Sequence, residues 1–237
     1  MFEGFANVWT PVGLAKAVKR RPVSVKVAGE QVVLFRGRDG RLAALLDRCP
    51  HRGVALSLGK VTDDGCLACP FHGWEFAADG SCAHVPYAGG LDGKKRSRLG
   101  VTALPVREVA GLVWLRTSPG ADAPDEPHVS PFLTDPAFTL WHHVVEWNCH
   151  WTRAMENMLD APHLPFVHGT TIGVGMKRQL TRTTTMDVTT RPTGTGFSIS
   201  WSVDGDDSGA EMLSFHRPNQ MVLHLRFPMG RSPMHVY

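Results

Sequence analysis

Residues 49–72 read Cys-Pro-His-Arg-Gly-Val-Ala-Leu-Ser-Leu-Gly-Lys-Val-Thr-Asp-Asp-Gly-Cys-Leu-Ala-Cys-Pro-Phe-His. The frame is Cys49-x-His51, seventeen residues, then Cys69-x-x-His72. Each half offers one thiolate and one imidazole on a short loop. A zinc finger usually pairs Cys with Cys and His with His, whereas here each half mixes the two. A zinc or thiol-redox site built on Cys66-x-x-Cys69 would leave both histidines without a role. Two cysteines on one iron and two histidines on another make the ligand set of a [2Fe–2S] centre of raised potential.

The flanking residues carry a resemblance. Cys-Pro-His-Arg-Gly at 49–53 and Cys-Pro-Phe-His-Gly-Trp at 69–74 resemble the Rieske domain of bacterial Rieske non-haem iron oxygenases. The resemblance implies that Cys49, His51, Cys69 and His72 hold a [2Fe–2S] cluster. Respiratory Rieske proteins carry an extra cysteine in each loop. Val54 and Phe71 stand at the matching places here, which favours the oxygenase or ferredoxin type. Pro50 and Pro70 stiffen the loops. Gly53 and Gly73 are expected to bring backbone amides close to the sulfurs.

Composition sets the outer limits. The 237 residues suffice for one large or two ordinary domains. With 43% hydrophobic and 20% charged residues the chain has ordinary globular composition. A formal charge of +3 with scattered basic residues argues against nucleic acid. The one basic triplet, Lys94-Lys95-Arg96, is expected to decorate a loop or steer an acidic electron donor. No apolar run reaches the length of a membrane span, and the N-terminus lacks a basic leader. Cys66, Cys82 and Cys149 are read as free thiols, and the expected location is cytoplasmic. No segment repeats at a fixed period.

Along the chain, residues 1–117 read as a small β domain. Val23–Val27, Gln31–Arg36 and Leu42–Leu46 form a meander turning at Asp39-Gly40, and another turn falls at Asp79-Gly80. Residues 101–106 and 112–116 are read as its last two strands. Residues 118–136 hold five prolines and read as a linker. Residues 137–237 open with a helix near 150–160. They continue through strands at Thr183–Thr190, Phe197–Val203, Glu211–Phe215 and Met221–Phe227. The alternation Phe197-x-Ile199-x-Trp201-x-Val203 marks one inward face. The expected fold is α+β: an all-β domain followed by an antiparallel-sheet, helix-grip-like catalytic domain, C-terminally incomplete.

The second constellation is Asn157-x-x-Asp160-x-x-His163-x-x-x-x-His168. Two imidazoles and a carboxylate around open positions suit non-haem Fe(II). On an ideal helix His163 and His168 would point about 140° apart. Pro162 and Pro165 are expected to break the helix and let the rings converge.

This segment resembles the iron-binding motif of Rieske oxygenases of the vanillate demethylase and dicamba monooxygenase type. The resemblance implies His163 and His168 as iron ligands and Asn157 as a polar neighbour. It implies Asp160 as the carboxylate linking His72 of one chain to His163 of the next within a homotrimer. The third ligand of the family, an Asp, is not recognised in residues 1–237. Asp187, Asp204, Asp206, Asp207 and Glu211 are the acidic residues after His168, and none is favoured.

The expected activity is that of the oxygenase component of a multi-component system. A reductase or ferredoxin passes NAD(P)H-derived electrons through the cluster to the iron. There O₂ is activated for hydroxylation, dihydroxylation or oxidative demethylation of a small, aromatic substrate. The alternative is a Rieske-type electron carrier, or a homologue with an incomplete iron site.

Overall fold

The computed structural model describes residues 1–89, 97–120, 122–205, 212–225 and 234–236. Lys94-Lys95-Arg96 lies outside the described residues, as do Asp206, Asp207 and Glu211. The chain divides into two compact units, Met1–His142 and His143–Tyr237.

The first unit carries β1 (Trp9–Leu14), β2 (Val23–Val27), β3 (Glu30–Arg36), β4 (Leu42–Leu46), β5 (Lys60–Val61), β6 (Leu67–Ala68), β7 (Glu75–Phe76), β8 (Cys82–His84), β9 (Ala103–Leu104), β10 (Val106–Val109) and β11 (Leu112–Arg116). They form three antiparallel sheets, ordered β1-β11-β10, β2-β3-β4-β9 and β5-β6-β7-β8.

Strand β3 explains the layering. Successive side chains leave a strand on opposite faces, yet Val32, Val33, Leu34 and Phe35 are all buried. Val33 and Phe35 pack with Ala43, Leu45, Leu56, Leu67 and Phe76. Val32 and Leu34 pack with Ala44, Leu104, Val113 and Leu115. The second sheet therefore lies between the other two, with a core on each side. That is why β3 reads as an unbroken apolar run rather than an alternation. Each fully buried Leu, Val or Phe contributes about 1.5–3 kcal/mol. Cys49 and Cys69 belong to the first of these cores.

The expected strand over 101–106 is two strands in different sheets. Ala103 and Leu104 pair with β4, while Val106–Val109 pairs with β11. Pro105 sits at the changeover, where a residue without an N–H cannot continue the ladder.

The proline-rich stretch read as a linker lies against the first sheet. Trp9 Nε1 donates to Asp125 Oδ1 at 3.2 Å, and Arg116 Nε donates to the same oxygen at 2.8 Å. Arg107 pairs with Glu126 at 3.0 Å, and its guanidinium lies over the Trp9 ring at 5.7 Å.

The second unit begins with three short helices, α1 (Trp151–Leu159), α2 (Leu164–Val167) and α3 (Val174–Gln179). Then come β12 (Met186–Pro192), β13 (Gly196–Val203), β14 (Leu213–His216), β15 (Gln220–Leu225) and β16 (Met234–Val236). These five form one antiparallel meander in sequence order. Register stacks Ile199 against Leu213 and Leu213 against Leu223, so the alternation of β13 becomes a buried apolar row at Ile199 and Leu213. The α+β organisation matches the expectation from sequence. No described helix is long and apolar enough to cross a membrane.

Candidate metal centres

The two loops of residues 49–74 share one backbone design. Cys49 N donates to Val54 O at 2.8 Å, and Gly53 N donates to Cys49 O at 2.8 Å. Twenty residues on, Cys69 N donates to Trp74 O at 2.8 Å, and Gly73 N donates to Cys69 O at 3.1 Å. Gly53 has φ +75 and Gly73 has φ +69, the left-handed region that a residue with a Cβ enters at a cost. The repeated unit is therefore Cys-Pro-x-x-Gly. It is hidden in the sequence because His takes its third place in one copy and its fourth in the other.

This design sorts the four side chains by burial. Cys49 and Cys69 are 3% and 4% exposed and share one core cluster, close enough for each thiol to feel the other. His51 and His72 are exposed, with ring centroids 4.6 Å apart. A thiol pair thus sits inward and an imidazole pair outward. Trp74 stacks on His51 at 4.7 Å and 4°, and Phe71 lies 4.0 Å from His72. Trp74 had no assigned role in the sequence; its signal is that it directly follows the second Cys-Pro-x-x-Gly.

The titration of these groups follows their surroundings. Burial pushes the Cys49 thiol up, against the backbone N–H groups of His51 and Arg52, which pull it down, while the Cys69 sulfur adds to the rise. The backbone N–H groups that act on this thiol belong to His51 and Arg52, and Gly53 makes the turn directly after them. A metal cation beside the thiolates would reverse the effect of burial. Desolvation pushes His51 down, helped by the charges of His72 and Arg52. That keeps its ring neutral, the form that binds metal. Among the described residues no three His, Cys, Asp or Glu side chains converge to hold a single ion. Two thiols and two imidazoles as separate pairs fit a binuclear cluster, which asks for two ligands on each iron.

In the second unit, α1 ends at Asp160, whose backbone is extended. His163 is the residue just before α2 and His168 the residue just after it. The helix break therefore falls at 160–162 and not between the two histidines. Pro165 lies in the first turn of α2, where its missing N–H is no loss. The His163 and His168 rings nevertheless come within 5.3 Å, centroid to centroid. His163 Nδ1 is buried without a hydrogen-bond partner, and the nearest carboxylate oxygen, Asp160 Oδ2, stands 3.4 Å away. The Asp160 side chain is half exposed, and Asn157 is exposed. Asp187 is exposed on β12. Asp204 Oδ1 accepts from Thr185 N at 2.8 Å, in a turn. Two adjoining imidazoles with an orphaned ring nitrogen fit a mononuclear iron in part; the carboxylate ligand is not among the described residues.

His168 is held from behind. Its carbonyl accepts from Thr171 N and Gly173 N, both at 2.9 Å. A Cβ on Gly173 would stand 2.0 Å from Leu164 O, in the first turn of α2. Gly173→Ala must push this turn off the helix. It is expected to lower stability by about 1–3 kcal/mol and to weaken iron retention, read by denaturant unfolding and by iron analysis.

Comparison with known proteins agrees with the two units. Residues 8–100 match the Rieske [2Fe-2S] domain, and residues 147–227 match the vanillate O-demethylase oxygenase C-terminal domain. Chlorophyllide a oxygenase of Chlamydomonas reinhardtii is 36% identical over 73% of this chain and 26% of its own. The oxygenase component of dicamba O-demethylase from Stenotrophomonas maltophilia is 33% identical over 68% of this chain and 47% of its own. The alpha subunit of phenoxybenzoate dioxygenase from Ectopseudomonas oleovorans is 34% identical over 73% and 45%. The chain spans about a quarter to a half of the length of these relatives. In fold, it superposes on dicamba monooxygenase bound to dicamba with a TM-score of 0.74 at 23% identity, covering 98% of this chain and 71% of that one.

Proposed function

We propose that the chain is a relative of the oxygenase components of the Rieske non-haem iron oxygenases, and that it takes electrons at residues 49–72 and delivers them to an oxygen-activating iron at 157–168. The observation that carries this reading is the sorting of the first site. Two buried thiols and two exposed imidazoles are held by paired loops of one design.

When bound, the cluster supplies one-electron transfer and the iron supplies O₂ activation for hydroxylation, dihydroxylation or oxidative demethylation of a small aromatic substrate. The residues of this chain do the rest. Cys49 and Cys69 hold the cluster from the core side, while His51 and His72 face outward, where a neighbouring chain can approach. The stacked Trp74 fixes the His51 ring and shields one side of it from water. Asp160 accepts a proton bond from His163 Nδ1 once the 3.4 Å gap closes, which leaves Nε2 as the ligand atom. Asn157, exposed one turn before Asp160, is the polar neighbour proposed for the iron.

His72 and Asp160 are both exposed, in line with their meeting between chains. A closed head-to-tail homotrimer provides such contacts around the ring. A reductase or ferredoxin drawing on NAD(P)H is the expected donor. The Rieske carrier remains the second reading, because no carboxylate ligand joins His163 and His168 among the described residues.

Metal analysis of the purified chain tests the proposal. About three irons per chain, two with a Rieske electron-spin-resonance signal and one mononuclear, are expected. About two irons with that signal would select the carrier. No Rieske signal would overturn both readings.

A further inference from the structure

Asp47 stands two residues before Cys49, the start of the first ligand loop, and it is unusual for a carboxylate. It is 8% exposed and, among the described residues, it has no cation within 4 Å. Three neutral donors serve it instead. Ser57 N donates to Oδ1 at 2.7 Å, Ser57 Oγ to Oδ2 at 2.6 Å, and Ser24 Oγ to Oδ2 at 2.8 Å. Its own N–H donates to Gln31 O at 2.9 Å.

These bonds close a ring around the loop. Residues 47 and 57 lie on either side of 49–54, and Ser24 and Gln31 tie the pair to β2 and β3. Aspartate is almost never buried unpaired, because an uncompensated charge is costly there. The fold nevertheless places one next to the electron-carrying loop.

We infer that Asp47 is a positioning residue that clamps the first ligand loop and, by its buried negative charge, lowers the midpoint potential of the cluster that the loop holds. This rests on the reading of residues 49–72 as cluster loops. Two residues of chain put the Cα atoms of Asp47 and Cys49 within about 7 Å. Reduction adds an electron to the cluster, so a fixed anion nearby opposes it. At about 10 Å and an effective dielectric of about 20, one charge changes a one-electron equilibrium roughly tenfold.

The test is a redox titration of the cluster-loaded chain, followed by its electron-spin-resonance signal. Asp47→Asn is nearly isosteric. Its oxygen can accept from Ser57 N, and its amide can donate to both hydroxyls, so the clamp survives while the charge goes. The midpoint potential is expected to rise by about a tenfold shift in the equilibrium, about 59 mV for one electron. Ser24→Ala keeps the charge and removes one donor that compensates it, so the potential is expected to fall.

An unchanged potential in Asp47→Asn, or a rise in both variants as from a loosened loop, overturns the inference. If Asp47→Asn holds no cluster, Ser24→Ala decides alone: a fall supports the inference, and a rise or no change overturns it. A wild-type chain without a Rieske signal would instead sink the reading on which the inference stands.

Discussion

Asp160→Asn is expected to cut turnover by about 100-fold while both metals stay bound. Carboxylates behind a metal-bound histidine typically govern 10- to 100-fold in activity or affinity, and this one is proposed to carry a second duty as the contact to His72 of the next chain. Asp160 Oδ2 is the carboxylate oxygen nearest to the buried, unpartnered Nδ1 of His163. An amide in its place can still accept, but it carries no charge to hold a cationic or strongly polarised ring.

The substitution sits on a half-exposed residue just past the end of α1. The change in folding stability should therefore be small, within about 0.5 kcal/mol. Single-turnover reoxidation of the reduced cluster, followed with substrate and O₂ present, separates the causes. A slow reoxidation with normal iron content supports the relay. Reoxidation at the wild-type rate would show that electrons do not pass through Asp160.

Cys69→Ser is expected to abolish the Rieske signal and all turnover. The hydroxyl that replaces the thiol is a poor ligand for iron in a cluster held by thiolates. It is also left in the first core, against Cys49 and the side chains around Leu45, Leu67 and Phe76. An unsatisfied buried hydroxyl adds about 1–3 kcal/mol of destabilisation. The second unit has its own sheet and helices and should keep its fold. Circular dichroism with visible absorbance checks both parts, and a cluster spectrum of wild-type intensity in Cys69→Ser would refute the assignment of this ligand. Cys66→Ser, three residues earlier and outside the thiol pair, should leave that spectrum unchanged.

Much of the fold is legible in the sequence. The meander at 23–46 was readable because each strand is bounded by turn residues, and β2 and β4 fall where the sequence puts them. Helix α1 lies within the helical patch read at 150–160, and the strands read between turn signals form the meander β12–β15, with alternation visible in β13. What was missed has specific causes. Pro105 divides a run that looks continuous, because strand propensity does not say to which sheet a residue pairs. The prolines of 118–136 read as a linker, because composition cannot register that Asp125 and Glu126 find Trp9, Arg107 and Arg116. The helix break at 157–168 was expected from its prolines. Its position was not, because a proline in a first turn is compatible with helix.

The sequence by itself determined the donor set: two cysteines and two histidines in mixed halves, then two more histidines with an aspartate three residues upstream. Ligand chemistry is a property of side chains, so spacing alone could narrow it. Only the tertiary structure decided the arrangement. It made Cys-Pro-x-x-Gly the repeating unit, turned the thiols inward and the imidazoles outward, and set Trp74 against His51. It also enclosed Asp47 among hydroxyls and an amide from two distant segments. Burial and long-range hydrogen bonds depend on how separate strands meet, and no local pattern of residues encodes that meeting.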